Sequence, residues 1–106
     1  MGFRISGVFH QGSLLLLPGG PQPWAPAGLG DVTVASLQPA FAQRDTFEVL
    51  LLGTGARFEI LPLDLRKDLH GAGLAIEAMA TGAACRSFNV LIAEGRRVAA
   101  ALIAVD

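Results

Sequence analysis

The segment from residue 81 to residue 91 constrains the fold most, because it carries the clearest helical pattern in the chain. Thr81 is a good helix N-cap, since its hydroxyl can accept a hydrogen bond from the free N–H groups of the first turn. Gly95 fits the left-handed conformation that ends many helices. The sequence therefore predicts a helix over residues 82–94. Its apolar residues recur at helical spacing and define one buried face, made of Ala84, Phe88, Leu91 and Ile92.

Apolar runs on both sides of this helix predict strands. Residues 74–79 lead into the helix, residues 98–105 follow it, and residues 46–52 form an earlier apolar run. Before residues 74–79, Pro62 suits the start of a second helix over residues 63–70. Strands separated by helices are joined by right-handed parallel crossovers. The C-terminal half of the chain therefore predicts an α/β arrangement of parallel strands.

The N-terminal half of the chain predicts antiparallel strands. Residues 3–5 and 8–10 flank a two-residue turn in which Gly7 takes a positive φ, as a tight β-hairpin requires. A bend at residues 12–13 leads into residues 14–17, an aliphatic run that we expect to be buried on both faces. The whole sequence thus predicts one domain with a mixed sheet, mainly parallel with antiparallel strands, an N-terminal β-hairpin and covering helices.

Residues 18–30 form a proline- and glycine-rich stretch that holds four of the six prolines and the only tryptophan. We expect neither a helix nor a strand to run through it. Two interpretations of Trp24 are open from the sequence: its ring folds back onto the core, or it contacts a protein partner. A short helix capped by Ser36 is expected next, through about residue 44. Its inward-facing residues are Leu37, Ala40 and Phe41.

Composition and charge restrict the possible classes of function. The chain has 106 residues, of which 52% are hydrophobic and 16% are charged, and its net charge is −1. A chain this close to neutral offers no basic field for nucleic acid or anionic lipid. A single cysteine excludes an internal disulfide. The longest aliphatic run is far too short to span a bilayer, and the start has no signal or transit pattern, so we expect a cytoplasmic protein.

Two turns at strand ends form the candidate site. Gly53, Thr54 and Gly55 follow the strand at residues 46–52, and residues 80–86 follow its expected parallel neighbour. Ligands in open α/β sheets bind outside the carboxyl ends of the strands, so both turns belong on one edge. Free N–H groups at a helix N-terminus there could hold a phosphate or a carboxylate. The candidate ligand-binding residues are Gly53, Thr54, Gly55, Thr81, Gly82, Cys85, Arg86 and Asn89.

A purely structural role for these residues is the alternative. Glycines permit tight turns and close helix–strand packing, and Arg86 can pair with a carboxylate such as Glu77. Cys85, near a helix N-terminus, is either an activated nucleophile or a buried inert thiol, and the sequence shows no base for it. His10 and His70 have no partners at metal-ligand spacing, and Gly-Thr-Gly is not a dinucleotide fingerprint. We therefore expect neither a metal nor a cofactor.

Four segments of the chain together resemble a known family. They are Phe3-Arg-Ile-x-Gly with Gly12-Ser13, Leu51-Leu-Gly-Thr-Gly55, Gly73 through Thr81-Gly-Ala-Ala-Cys-Arg86 to Asn89, and Glu94-Gly-Arg-Arg-Val98-Ala-Ala-Ala-Leu102. On these segments, the chain resembles the small domain family of unknown function that includes mitochondrial complex I assembly factor 3. The resemblance covers nearly the whole chain and implies a three-layer α/β fold. Without a mitochondrial targeting segment, the chain resembles a bacterial member.

For mitochondrial members, the resemblance implies a role in assembling respiratory complex I through protein–protein contacts, and it implies no catalytic residues. The first function hypothesis is therefore a non-enzymatic interaction module that helps complex I or another membrane protein complex to assemble. Its partners are respiratory or membrane-insertion subunits. The high apolar content also suits an exposed patch for a partner or a homodimer. The alternative is a small-molecule binder or enzyme that uses the crevice between residues 53–55 and 81–86.

Overall fold

A computed structural model describes residues 2–5 and 8–105 of the chain. Within these residues the chain forms seven strands and three α-helices. The strands are β1 (Gly2–Ile5), β2 (Val8–Gln11), β3 (Leu14–Leu17), β4 (Gly20–Pro23), β5 (Val49–Gly53), β6 (Ile76–Met79) and β7 (Val98–Leu102). The α-helices are α1 (Gln38–Ala42), α2 (Leu63–Gly71) and α3 (Thr81–Ala93).

Five of the described strands form one mixed sheet in the order β4-β3-β7-β5-β6. β5 is parallel to β6 and to β7, whereas β3 is antiparallel to β4 and to β7. β1 and β2 form a separate antiparallel hairpin in which Ile5 is opposite Val8. The mixed sheet and the N-terminal hairpin are thereby confirmed. The predicted conformation of Gly7 lies outside the described residues.

Helices and loops cover the sheet on both faces, which gives the three layers that the family resemblance implied. The side chains of β3 alternate between the faces: Leu14 and Leu16 pack on the side of α3, and Leu15 and Leu17 pack on the side of α1 and α2. None of these four leucines is more than 7% exposed. β3 is therefore buried on both faces, as predicted, because a covered sheet removes both sides of its central strands from water.

The prediction that no strand crosses the proline-rich stretch is wrong, because β4 occupies the middle of it. The N–H of Trp24 donates to the carbonyl of Ser13 at 3.0 Å, which shows that even-numbered residues here direct their N–H groups toward β3. The nitrogens of Pro21 and Pro23, which carry no hydrogen, therefore face away from the sheet. Prolines are tolerated in this strand because it lies at an edge and needs no partner there.

Other predicted boundaries differ by a few residues. β5 starts at Val49, β6 starts at Ile76 and β7 ends at Leu102. The helix around residues 36–44 is interrupted by 3-10 turns, and Ser36 lies inside the first of these turns, whose N-cap is Val34, rather than capping the helix. The Thr33 hydroxyl accepts from the Ser36 N–H at 3.1 Å, and the Ser36 hydroxyl accepts from the Thr33 N–H at 3.0 Å. The three residues predicted to face inward from this segment are buried: Leu37, Ala40 and Phe41.

α3 confirms the predicted central helix but not its cap or the full width of its buried face. Thr81 is the first helical residue rather than the N-cap, which is Ala80. Ile92 is 49% exposed and lies on the outer surface of the helix. Gly95 has a φ of +77° and follows the helix end in the expected left-handed conformation. The members of the predicted face that pack against the sheet are Ala84, Phe88 and Leu91.

Candidate functional site

The two turns of the candidate site lie side by side at one end of the sheet. β5 and β6 are parallel neighbours, so the turn after each strand lies at the same end of the sheet. The Thr54 N–H donates to the Met79 carbonyl at 2.8 Å, and the Thr81 N–H donates to the Gly55 carbonyl at 2.8 Å. The juxtaposition expected from the strand order is therefore present, and backbone hydrogen bonds hold it.

Both threonine hydroxyls in these turns are used within the fold. The Thr81 hydroxyl donates to the Ile103 carbonyl at 2.8 Å and accepts from the Gly55 N–H at 3.0 Å. The Thr54 hydroxyl donates to the Arg57 carbonyl at 2.8 Å and accepts from the Glu59 N–H at 3.1 Å. Both threonines are 1% exposed, so no part of either hydroxyl is left for a ligand in solution. This explains why Thr81 does not cap α3.

Gly53 shows how tightly the two turns are packed. A Cβ added at this position would lie 2.8 Å from the Thr81 hydroxyl oxygen and 2.9 Å from the Thr81 Cα. Distances this short exclude any side chain, so glycine is required by the close approach of β5 to the start of α3. We call Gly53–Gly55, Thr81 and Ile103 the strand-end seam. All five residues of the seam are buried, and the sequence had placed a ligand crevice between its two turns.

The remaining candidate residues lie on α3 outside the seam. Gly82, Arg86 and Asn89 are exposed, and Cys85 is half-buried. Within residues 2–5 and 8–105, Arg86 forms no ion pair with Glu77. Arg86 and Glu77 instead both line a groove on the α3 side of β6. The structure therefore separates the eight candidates into a closed structural group and a group on an exposed helix surface.

The surroundings of Cys85 fit an inert thiol. Burial raises the pKa of the Cys85 thiol above its ordinary value, and the neighbouring Arg86 guanidinium offsets part of this rise. A raised pKa reduces the fraction of thiolate, which is the nucleophilic form. Desolvation therefore outweighs the neighbouring positive charge at this position. Elsewhere in the part of the chain that the structure describes, no three His, Cys, Asp or Glu side chains come together as a metal site.

Trp24 lies in the core. Its side chain is 6% exposed, and its Nε1 donates to the Ser36 carbonyl at 2.8 Å. The ring packs in the cluster on the α1 and α2 side of the sheet. This corresponds to the first of the two interpretations open from the sequence, so the ring stabilises the fold rather than presenting a contact surface.

Two grooves beside β6 are the surface features that sequence reasoning missed. The groove on the α2 side has a volume of about 480 Å³ and is lined by Phe58, Leu61, Arg66, His70, Leu74, Ala75, Ile76 and Ala78. The groove on the α3 side has a volume of about 360 Å³ and is lined by Leu51, Glu77, Met79, Arg86, Ser87, Val90 and Leu91. Phe58 and Val90 are each 56% exposed. Apolar residues in the connection before α2, Phe58 and Leu61, were the available signal in the sequence.

Comparison with known proteins assigns the family. Residues 1–103 match the family described as "Protein of unknown function (DUF498/DUF598)", and the chain belongs to it. A crystal structure described as an outer membrane protein from Bartonella henselae superposes with a TM-score of 0.90 at 40% identity, covering 99% of this chain and 88% of that one. The resemblance found in the sequence is therefore confirmed, and the fold is that of the family.

Two relatives come from a bacterium and from a vertebrate. An uncharacterized protein of Rhodobacter capsulatus is 42% identical over 95% of this chain and 76% of its own length. NADH dehydrogenase (ubiquinone) 1 alpha subcomplex assembly factor 3 of Danio rerio is 39% identical over 96% of this chain. The chain spans 59% of the length of that zebrafish protein. Among the described residues, no helix has both the length and the apolarity to cross a membrane.

Proposed function

We propose that the protein is a non-enzymatic interaction module that helps a membrane protein complex to assemble, and that this complex is respiratory complex I where the cell contains it. The observation that carries the proposal is the match to complex I assembly factor 3, which extends over 96% of the chain at 39% identity. The matching region is the whole folded domain rather than one motif. Its fold is therefore the feature that the chain has in common with a protein named for an assembly role.

The geometry of the candidate site also supports a binding role over a catalytic one. The polar groups of the strand-end seam bond to one another, so they do not converge on an open space where a substrate could react. Cys85 lacks the lowered pKa of an activated nucleophile. Two exposed apolar side chains, Phe58 and Val90, lie instead beside β6, in grooves of the kind that proteins use for partners.

Deletion of the gene for this chain from its native cell tests the proposal. Membrane complexes are solubilised in mild detergent, separated on native gels, and stained for NADH dehydrogenase activity. The amount of fully assembled complex is expected to fall, with subassemblies accumulating, because an assembly factor acts before the complex is complete. A plasmid copy of the gene should restore the assembled complex.

Two controls make the result specific. Transcript and subunit levels should be unchanged in the deletion strain, so that a loss of complex reflects assembly rather than expression. A tagged copy of the protein should recover subunits of the affected complex from the same membranes. Membrane complexes that are unchanged in amount and composition after deletion would show that the proposed function is wrong.

A further inference from the structure

β6 is an edge strand whose outer backbone groups have no neighbouring strand among the described residues. The Leu50 N–H donates to the Ala75 carbonyl at 2.9 Å, and the Thr54 N–H donates to the Met79 carbonyl at 2.8 Å. Odd-numbered residues therefore direct their backbone groups toward β5. Ile76 and Ala78 direct their N–H and C=O groups away from the sheet, since these directions alternate along a strand. An unpaired row of donors and acceptors is a template for another strand.

The two grooves lie on opposite faces of this edge. Ile76 and Ala78 line the groove on the α2 side, and Glu77 and Met79 line the groove on the α3 side. The side chains of a strand added to β6 would alternate in the same way. Successive side chains of such a strand would thus enter one groove and then the other, so the edge offers hydrogen bonds and two sets of side-chain contacts together.

Charge indicates the chemistry of the segment that fits. The ionised side chains that line the grooves are Arg66 on the α2 side and Arg86 and Glu77 on the α3 side. The two grooves are therefore lined by two guanidinium groups and one carboxylate, whereas the chain as a whole has a net charge of −1. A partner segment with carboxylates beside its apolar residues would be complementary to the guanidinium groups, and complementary charge favours the correct partner and its orientation.

The groove volumes decide between a second copy of this chain and a different protein. In a dimer formed through β6, the strand entering the α2-side groove would offer Ile76 and Ala78. An alanine and one isoleucine fill little of about 480 Å³, and well-packed interfaces leave few such voids. The occupant must instead carry large apolar side chains, which this edge does not have.

We propose that the β6 edge is the docking site for an extended, acidic segment of a partner protein, which adds to the sheet as a further strand and places large apolar side chains in both grooves. The inference rests on the proposed function in taking the occupant to be a protein. Backbone hydrogen bonds to Ile76 and Ala78 supply part of the affinity, as in other strand-addition complexes. Phe58 in one groove and Val90 in the other supply the apolar contacts, and Arg66 and Arg86 select carboxylates.

The probe is a phage-displayed library of random nine-residue peptides, selected against the immobilised full chain. Enriched sequences are expected to show large apolar residues at alternating positions, interspersed with Asp or Glu. Synthetic copies are then measured by fluorescence polarisation. N-methylation of the peptide N–H groups that pair with β6 should weaken binding by about tenfold or more, because each such group loses a hydrogen bond while the side chains stay the same.

Variants of the protein locate the site. Val90→Asp and Phe58→Ser each alter an exposed groove residue, so the fold should be unaffected, and each should weaken the peptide by about tenfold. Ile92→Asp is the matched control, since Ile92 is 49% exposed on the same helix as Val90 and does not line the groove. Ile92→Asp should bind the peptide as the original chain does.

Three outcomes would overturn the proposal. The selection enriches no alternating pattern, or the enriched peptides bind Val90→Asp and Phe58→Ser as tightly as the original chain, or sedimentation shows a stable dimer that Val90→Asp dissociates. The last outcome would identify a second copy as the occupant. These binding measurements are independent of the gene deletion. If peptides bind at the β6 edge but membrane complexes are unchanged after deletion, the docking site is supported and only the assembly role is refuted.

Discussion

The two edges of the sheet are protected to different degrees. At one edge, the outward nitrogens of β4 belong to Pro21 and Pro23, which have no hydrogen to donate. At the other edge, Ile76 and Ala78 of β6 face outward with complete backbone donors and acceptors. Proteins commonly block exposed edges with proline or charge because unpaired strands promote aggregation. A chain that blocks one edge and leaves the other open between two apolar grooves is expected to use the open one.

The difference also involves how each edge is anchored. β4 pairs with β3, whereas the C-terminal end of β6 is fixed by the strand-end seam. The Thr54 N–H bonds to the Met79 carbonyl at the last residue of β6, and the Thr81 hydroxyl connects the start of α3 to β7 through Ile103. The seam thus holds the C-terminal end of β6 in place, and a strand that is held in place lowers the entropy that a partner must overcome.

The largest predicted effect is the loss of the seam hydroxyl in Thr81→Val. Valine has nearly the same shape, but it leaves the buried Gly55 N–H and Ile103 carbonyl without their partner. Two unsatisfied buried groups should lower the free energy of unfolding by about 2–4 kcal/mol. Urea denaturation measures this change. Thr46→Val is the control, because Thr46 is exposed, and a loss equal to that of Thr81→Val would show that the seam does not anchor β6.

Gly53→Ala should have the next largest effect. Its Cβ would lie 2.9 Å from the Thr81 Cα, so β5 and α3 must separate, at a cost of about 1–3 kcal/mol. Gly82→Ala is the matched control in the same region. A Cβ there meets only the Arg86 side chain, at 3.5 Å, and alanine within a helix should stabilise the protein by about 0.5–1 kcal/mol. Equal stability of the two variants would contradict the close packing of the seam.

A smaller change is expected when the blocked edge is opened. Pro21→Ala with Pro23→Ala restores two outward N–H groups on β4 and should lower the free energy of unfolding by only about 1–2 kcal/mol, through the gain in unfolded-chain entropy. The main consequence should be self-association, seen by sedimentation as protein concentration rises. Gln22→Ala, which leaves both prolines, is the control. A double variant that stays monomeric at high concentration would show that the prolines do not protect this edge.

The sequence predicted which helices and strands form better than it predicted which strands lie at the edges of the sheet. The mixed α/β sheet, the buried strand at residues 14–17 and the hairpin follow from local patterns, because apolar periodicity reports directly on burial. β4 was missed because proline is incompatible with a central strand and compatible with an edge strand, and strand order is a property of the whole chain. Strand order was also needed to recognise that β6, which has an ordinary apolar pattern, has one side without a neighbouring strand among the described residues.

The sequence predicted the positions of the candidate site residues but not their hydrogen-bond partners. Parallel pairing of two strands was enough to place Thr54 and Thr81 together, because the carboxyl ends of parallel strands share an edge. Whether a ligand could enter between the two turns depends on how closely the Gly53 backbone approaches Thr81. No residue pattern encodes that distance. The hydroxyl of Thr81 could equally have capped α3, and only the position of the Ile103 carbonyl decides its direction.

The smallest predicted effect compares two positions on α3, one turned toward the sheet and one in the β6 groove. Burial raises the pKa of the Cys85 thiol, so at pH 8 it should react with iodoacetamide about tenfold or more slowly than the exposed thiol of Val90→Cys, made in a Cys85→Ser background. The rate at Cys85 should rise with pH toward a midpoint above the ordinary value of 9.0, because the folded protein holds that proton more tightly. Denatured chains carrying either thiol should react alike. If folded Cys85 reacts as fast as the cysteine at position 90, the side of α3 that faces the sheet is as accessible as the side in the β6 groove. The comparison between a buried seam and an open groove would then be wrong.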